Sequence, residues 1–351
     1  MTIASFAHAV PAPIRQRDLW DGFFAAHYRG NPVAERMFSA VGVETRHGVV
    51  NPQVEDVSQW PTSRRMERYV AEALPLGKEA VGAALDSAGL RAEDLGMLVV
   101  VSCTGYATPG LNTLLARDLG MAADLRSLVL GHMGCFASLP GLSAASDYVA
   151  QHGRPAMLLS LELTSLHLQP SQLPAYALTP ESVQQMVVHA LFGDAAAAVV
   201  LTPGPARGGL EVVDVVAVTD ATAADMMTWD IGEQGFRMGL SPEVPAVLAR
   251  HALPATETLL ARNGLAVADV GAWAVHPGGP AIVEAVRNSL DLSAQDVRAS
   301  LDVLRDYGNC SSPTVLMILE RVAPTLAAND HAVALAFGPG LTLYAVLLRR
   351  A

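Results

Sequence analysis

Short apolar runs, too continuous to face water on either side, recur along this chain with helix-length stretches between them. Residues 98–103 (LVVVSC) are short, uncharged and centred on three β-branched valines, the pattern of a strand buried on both faces. Residues 156–163, 195–201, 272–275, 332–337 and 341–348 read as strands too, and 127–130 as a shorter one. Helical spacing is found at 69–90, where Val70, Ala73, Leu74, Ala80, Val81 and Leu85 share one side. It recurs at 111–119, 136–149, 181–191, 244–263, 281–289 and 312–326. Pro75 is expected to break or kink the first helix. Pro313 falls in the first turn of the last one, where a missing N–H costs nothing. Strands alternating with helices predict α/β layers.

Residues 1–65, punctuated by Pro11, Pro13, Pro32 and Pro61, show no clear period. A loop rich in Pro and Gln is expected at 169–180. Residues 202–209 (TPGPARGG) are the best linker. Each half ends in a helix and then an apolar strand: LFGDAAAAVVL in the first, HAVALAFGPGLTLYAVLL in the second. That repetition suggests an internal duplication, with halves at 1–205 and 206–351.

Composition narrows the function classes. With 51% hydrophobic and 16% charged residues, the chain has ample apolar surface for a large core, an oligomer interface or both. Its 34 acidic and 23 basic residues leave a charge of −11, which argues against nucleic acid as a partner. Three cysteines in 351 residues are no disulfide framework and point to a reducing compartment. The apolar runs fall far short of the roughly 20 residues needed to cross a membrane. No secretory signal is evident at the N-terminus. The expected location is the cytoplasm.

Three polar positions stand out. Cys135 lies in Gly131-His132-Met133-Gly134-Cys135-Phe136, between a short strand and a helix. At a helix N-terminus the dipole and free N–H groups favour a thiolate, so a lowered pKa is expected. A buried structural cysteine is the plainer alternative. His276 ends a strand before Pro277-Gly278-Gly279, a place where α/β proteins set polar site residues. Asn309 lies in Tyr307-Gly308-Asn309-Cys310-Ser311-Ser312, where Asn and Ser are also ordinary helix caps. Together they form a Cys-His-Asn constellation.

These pieces, with Ala190-Leu191-Phe192-Gly193-Asp194 and Phe337-Gly338-Pro339-Gly340, resemble the type III polyketide synthases in order and separation. These are the chalcone synthase-like branch of the thiolase superfamily. The resemblance runs from about Arg36 to the C-terminus. It implies a thiolase-like αβαβα five-layered fold built from two duplicated halves, and a homodimer. It implies Cys135 as the acylated nucleophile, His276 as the residue holding it as thiolate, and Asn309 as an oxyanion donor beside His276. Phe192 corresponds to a gatekeeper between a CoA tunnel and the cavity, and Met238 to the second gatekeeper. Cys103, Glu162 and His167 correspond to residues in or beside the substrate cavity, with Ser311, Gly338 and Pro339 near it. Arg36 corresponds to one basic residue of a CoA site.

The implied substrates are an acyl-CoA starter and malonyl-CoA, with no metal and no cofactor beyond the CoA thioesters. Val33 and Ala40 replace two basic residues of the plant CoA site. An acyl carrier protein is therefore a further candidate donor. The segment Met226-Met227-Thr228-Trp229-Asp230-Ile231-Gly232 is similar to bacterial alkylpyrone and alkylresorcinol synthases. Flexible methionines suit a channel for a variable acyl chain, though they also fill cores. Three alternatives remain open here. One is a 1,3,6,8-tetrahydroxynaphthalene-type synthase using malonyl-CoA only, which Cys103 supports. The others are a carrier-protein-dependent ketoacyl synthase and a catalytically silent dimerisation scaffold.

Overall fold

The computed structural model describes residues 1–171 and 178–351. Residues 172–177 of the expected Pro- and Gln-rich loop lie outside them. The strands in chain order are β1 (Thr2–Ala9), β2 (Pro13–Arg15), β3 (Thr45–His47), β4 (Met97–Val101), β5 (Arg126–Leu130), β6 (Ala156–Glu162), β7 (Ala195–Thr202), β8 (Leu210–Thr219), β9 (Met227–Gly232), β10 (Gly235–Leu240), β11 (Val270–Val275), β12 (His331–Gly338) and β13 (Thr342–Arg350). The longer helices are α1 (Pro32–Ala40), α2 (Thr62–Ala88), α3 (Leu111–Leu119), α4 (Ser138–His152), α5 (Pro180–Leu191), α6 (Val244–Arg262), α7 (Pro280–Ser289), α8 (Arg298–Tyr307) and α9 (Pro313–Val322).

The main sheet runs β11-β12-β13-β8-β1-β7-β6-β4-β5. Its halves carry the same pattern. In the order β1-β7-β6-β4, the first two pairings are antiparallel and the third parallel; β8-β13-β12-β11 repeats this. The halves meet at β1 and β8 through only Thr2–Glu211 and Ile3–Leu210. The duplication read from the sequence is thus visible as topology.

Alternation along the strands builds three cores. One face of the first half-sheet, with Leu98, Val100, Leu159 and Val200, packs against α2. Its other face, with Val99, Val101, Leu158 and Val199, shares a core with Ala274, Ala334 and Val346 of the second half-sheet. Helices α4 and α9 fill that shared core. Residues Pro313–Leu319 of α9 are all buried, which is why this helix is apolar on every side. The outer face of the second half-sheet, with Trp273, Leu335 and Leu347, packs against α6 and α7. The layers are α2, sheet, α4 with α9, sheet, α6 with α7: the five-layered αβαβα arrangement.

Several details differ from expectation. Pro75 does not break α2, which runs unbroken from Thr62 to Ala88. Pro75 and Ala71, four residues earlier, are both exposed, so the carbonyl that loses its partner is open to solvent. The apparent helix at 136–149 begins as a 3₁₀ turn, Gly134–Phe136, and becomes α-helical only at Ser138. The featureless first 65 residues hold β1, a central strand, together with β2, β3 and α1.

Candidate active site

Cys135 is buried in the 3₁₀ turn that leads into α4. The turn is braced from the second half. Gly134 has φ +71°, and a Cβ there would lie 2.7 Å from Pro339 Cδ. A Cβ on Gly338 would lie 2.6 Å from Phe136 Cδ1. The Gly338-Pro339-Gly340 turn therefore acts as a backstop behind the cysteine, and only glycine permits that approach. Hydroxyls tie the two central helices together: Ser138 Oγ donates to the Ser312 carbonyl at 2.6 Å and lies 2.9 Å from Ser160 Oγ.

His276 follows β11, its N–H donating to the Leu335 carbonyl at 2.8 Å. Asn309 precedes α9. Its side-chain Oδ1 accepts from Ser311 N–H at 2.7 Å, which leaves the amide NH₂ to point elsewhere. Cys135, His276 and Asn309 all line one cavity of about 600 Å³. Leucine, valine, methionine and proline make up most of its wall, and no Lys, Arg, Asp or Glu is among the described residues lining it. Both His276 ring nitrogens are buried, and neither has a hydrogen-bond partner among the described residues.

Electrostatically, the site departs from the expected lowered thiol. Burial pushes Cys135 up to about 11, while hydrogen bonds from Ser311 (Oγ to Sγ 3.5 Å) and Asn309 pull it back. Burial alone pushes His276 down to about 3. Both groups are neutral near pH 7. The helix effect is outweighed because desolvation opposes any charge here.

Phe192 and Met238 line this cavity and also a second, narrower one of about 90 Å³. His167 lies on the second cavity, between Trp229 and Phe236. It stacks on Phe236 with ring centroids 4.5 Å apart. Its Nδ1 accepts from Phe236 N–H at 2.9 Å, so its Nε2–H donates to the Thr104 carbonyl at 2.6 Å. Burial lowers its pKa to about 3, so it too is neutral.

None of the remaining candidates lines either cavity. Cys103 lines neither cavity. Its thiol donates to Glu162 Oε1 at 3.3 Å, and its carbonyl accepts from Trp229 Nε1–H at 2.9 Å. Glu162 is fully buried under donors from Cys103, Thr104 and Ser312, and burial raises its pKa against their pull. Ser311 touches Cys135 rather than either cavity, and Gly338 and Pro339 only brace the turn. Arg36 is exposed on α1 and lines neither cavity.

Two buried arginines escaped the sequence reading. Arg65 donates to the carbonyls of Trp60, Val57, Ser58, Leu166 and Leu168, and so clamps both sides of His167. Arg46 on β3 donates to the carbonyls of His189 and Phe192. No local pattern marks either residue, because a charge inside is revealed only by what surrounds it. Among the described residues no group of three or more His, Cys, Asp or Glu could hold a metal ion.

Comparison with known proteins fits this geometry. Residues 37–205 match the family model for the N-terminal domain of chalcone and stilbene synthases, and residues 216–351 that for the C-terminal domain. The chain belongs to the chalcone and stilbene synthase family. It is thus a type III polyketide synthase, an acyl-transferring enzyme. A 1,3,6,8-tetrahydroxynaphthalene synthase from Streptomyces peucetius subsp. caesius is 36% identical over 321 residues, covering 90% of this chain and 82% of that protein. A 3,5-dihydroxyphenylacetyl-CoA synthase from Amycolatopsis orientalis is 36% identical, covering 82% and 77%. The alpha-pyrone synthesis polyketide synthase-like Pks18 of Mycobacterium tuberculosis is 31% identical, covering 81% and 72%. Among solved structures, 1,3,6,8-tetrahydroxynaphthalene synthase from Streptomyces coelicolor A3(2) superposes with a TM-score of 0.91 at 26% identity, over 100% of this chain and 99% of that one. PKS-I from the brown alga Ectocarpus siliculosus gives 0.89 at 29%, over 99% and 98%. No helix among the described residues is long and apolar enough to cross a membrane.

Proposed function

We propose that this type III polyketide synthase loads an aliphatic acyl starter onto Cys135, extends it with malonyl-type units and closes an alkylpyrone or alkylresorcinol. The reading is carried by one observation: Cys135, His276 and Asn309 open together onto an apolar cavity of about 600 Å³. His276 takes the thiol proton, and the Cys135 thiolate attacks the starter thioester and expels CoA thiolate. The malonyl C–C bond to the carboxylate then breaks and CO₂ leaves. The enolate oxygen is held by donors from Asn309 and His276. A wall without Lys or Arg among its described residues disfavours the carboxylate and so favours its loss. The enolate carbon attacks the acyl carbonyl, and Cys135 Sγ leaves with the bonding pair. The substrates are CoA thioesters, and no cofactor is used.

The second reading is a naphthalene-type synthase using malonyl-CoA as starter and extender. It is supported by the tetrahydroxynaphthalene synthase at 36% identity. Incubation with malonyl-CoA and a ladder of saturated acyl-CoAs, or the same acyl groups on a carrier protein, separates the two by product mass. The first reading expects chain-length-dependent alkyl products and little product from malonyl-CoA alone. A naphthalene product from malonyl-CoA alone would replace it with the second.

We also propose a cytoplasmic homodimer. All three cysteines are unpaired, as a reducing compartment requires. The sheet ends at β5, where Val129 is 51% exposed, and the adjoining loop leaves Tyr106 70% exposed. An apolar sheet edge of this kind calls for a cover. Light scattering should give twice the 36.8 kDa chain mass, and Val129→Lys should shift it to the single-chain value. A wild-type mass of one chain would refute the dimer.

A further inference from the structure

Between the two cavities the chain crosses itself at Phe192 and Asn309. The two residues pair as an isolated parallel bridge. Asn309 N–H donates to the Leu191 carbonyl at 2.8 Å, and Gly193 N–H donates to the Asn309 carbonyl at 3.0 Å. No side chain fits within the crossing. A Cβ on Gly193 would lie 2.5 Å from the Tyr307 carbonyl oxygen, and one on Gly308 2.8 Å from that of Leu191. A residue that divides the cavities and a residue that faces the cysteine thus share one rigid piece of backbone.

Arg46 reaches both sides of this crossing. Its Nη1 donates to the carbonyls of His189 at 2.5 Å and Phe192 at 3.0 Å. These groups lie where α5 ends, so their carbonyls lack helical partners and the helix dipole favours a cation. The stem of Arg46 packs on the other side: a Cβ on Gly308 would lie 3.2 Å from Arg46 Cγ. The guanidinium lies 5.8 Å from the ring centroids of both Phe24 and Phe38. The residue after Arg46 extends the hold, because the His47 carbonyl accepts Asp194 N–H at 2.8 Å. Asp194 is itself anchored by Val49 N–H, Thr164 and Ser165. Burying a guanidinium beside carbonyls, with no carboxylate among the described residues in direct contact, is a costly way to join two loops. Hydrophobic packing would do it without the desolvation.

We propose that Arg46 is a positioning residue: by fixing the Phe192–Asn309 crossing it sets the passage between the two cavities and, with it, how far a chain grows before release. The proposal rests on the reading of Phe192 as a divider of cavities and of Asn309 as an oxyanion donor.

The test compares wild type, Arg46→Met, Arg46→Lys and Phe192→Ala in the full-length enzyme with one saturated acyl-CoA and malonyl-CoA. Steady-state rates and product masses are recorded for each. Arg46→Met is expected to lower kcat by about tenfold with KM for the starter changed less than about twofold, as for an interaction that orients rather than binds. Its products should shift in the number of extensions. Arg46→Lys keeps the charge at the carbonyls and should recover part of both effects. If Arg46→Met does not fold, Arg46→Lys and Arg46→Gln carry the test. Arg46→Gln removes the charge but keeps an N–H donor, and should shift the products in the same direction as Arg46→Met. A product distribution unchanged in every variant that folds, with Phe192→Ala altered, overturns the role of Arg46. A distribution unchanged in Phe192→Ala as well overturns the underlying reading of Phe192.

Discussion

Cys135→Ala is expected to abolish acylation and to lower product formation by at least about 10³-fold, the scale seen when a nucleophile is removed from a covalent mechanism. Of the described residues lining the 600 Å³ cavity, Cys135 is the one that carries a thiol. Alanine retains the Cβ, so the contacts of Gly134 with Pro339 and of Phe136 with Gly338 persist and the fold should be little affected. Intact mass spectrometry after incubation with an acyl-CoA should show one acyl group on wild type and none on the variant. Release of CO₂ from malonyl-CoA should survive in Cys135→Ala, because Asn309 and His276 remain to hold the enolate oxygen. Cys103→Ala is the control. Its thiol donates to Glu162 and lines neither cavity, and its loss should leave acylation intact. An acyl group on Cys135→Ala, or none on wild type, would refute the covalent mechanism.

Acid should destabilise the fold through its buried imidazoles. His276 and His167 are each lowered to about 3 by burial, against an ordinary value of 6.5. A depressed folded-state pKa means that the unfolded chain binds the proton first. The resulting stability is fully present above pH 6.5 and is lost as pH falls toward 3. Each group contributes about 1.4 kcal/mol per pH unit in that window, or about 2 kcal/mol between pH 6.5 and 5. The carboxyls of Glu162 and Asp194, raised by burial, act in the opposite sense, so the total slope mixes signs. The informative quantity is a difference. Urea unfolding at pH 7.5 and pH 5 should show His276→Asn losing about 2 kcal/mol less than wild type. Equal losses would mean that His276 is not held neutral in the folded protein.

What the sequence made legible follows from how each element is buried. Strands covered on both faces, such as Met97–Val101 and Ala195–Thr202, are continuous apolar runs and were readable directly. β1 is equally central but reads TIASFAHA, with serine and histidine breaking the run, and its strand character comes from pairing with β7. β8 faces solvent at several positions, and its alternation is blurred by paired valines. Cys135, His276 and Asn309 were found by motif, and the fold brings all three to one cavity. Their protonation was not legible. A helix N-terminus suggested a lowered thiol, whereas the depth of the cavity, a property of five layers together, pushes it the other way. Arg46 and Arg65 are single charges in stretches without period. Only tertiary structure could show that each is enclosed by carbonyls.

The ribbon formed by β9 and β10 pairs only with itself, outside the main sheet. It nonetheless supplies Met227, Met238 and Leu240 to one cavity and Trp229, Phe236 and Met238 to the other. It is held by a few bonds at its edges, such as Gly235 N–H to Thr62 Oγ1 and Trp229 Nε1–H to Cys103 O. The Cys, His and Asn, by contrast, sit at junctions of sheet and buried helix. Recombination across residues 227–240 would therefore exchange the mould without disturbing the tool. Descendants of one ancestral enzyme could change what they make in a single short genetic step while keeping the chemistry that makes it.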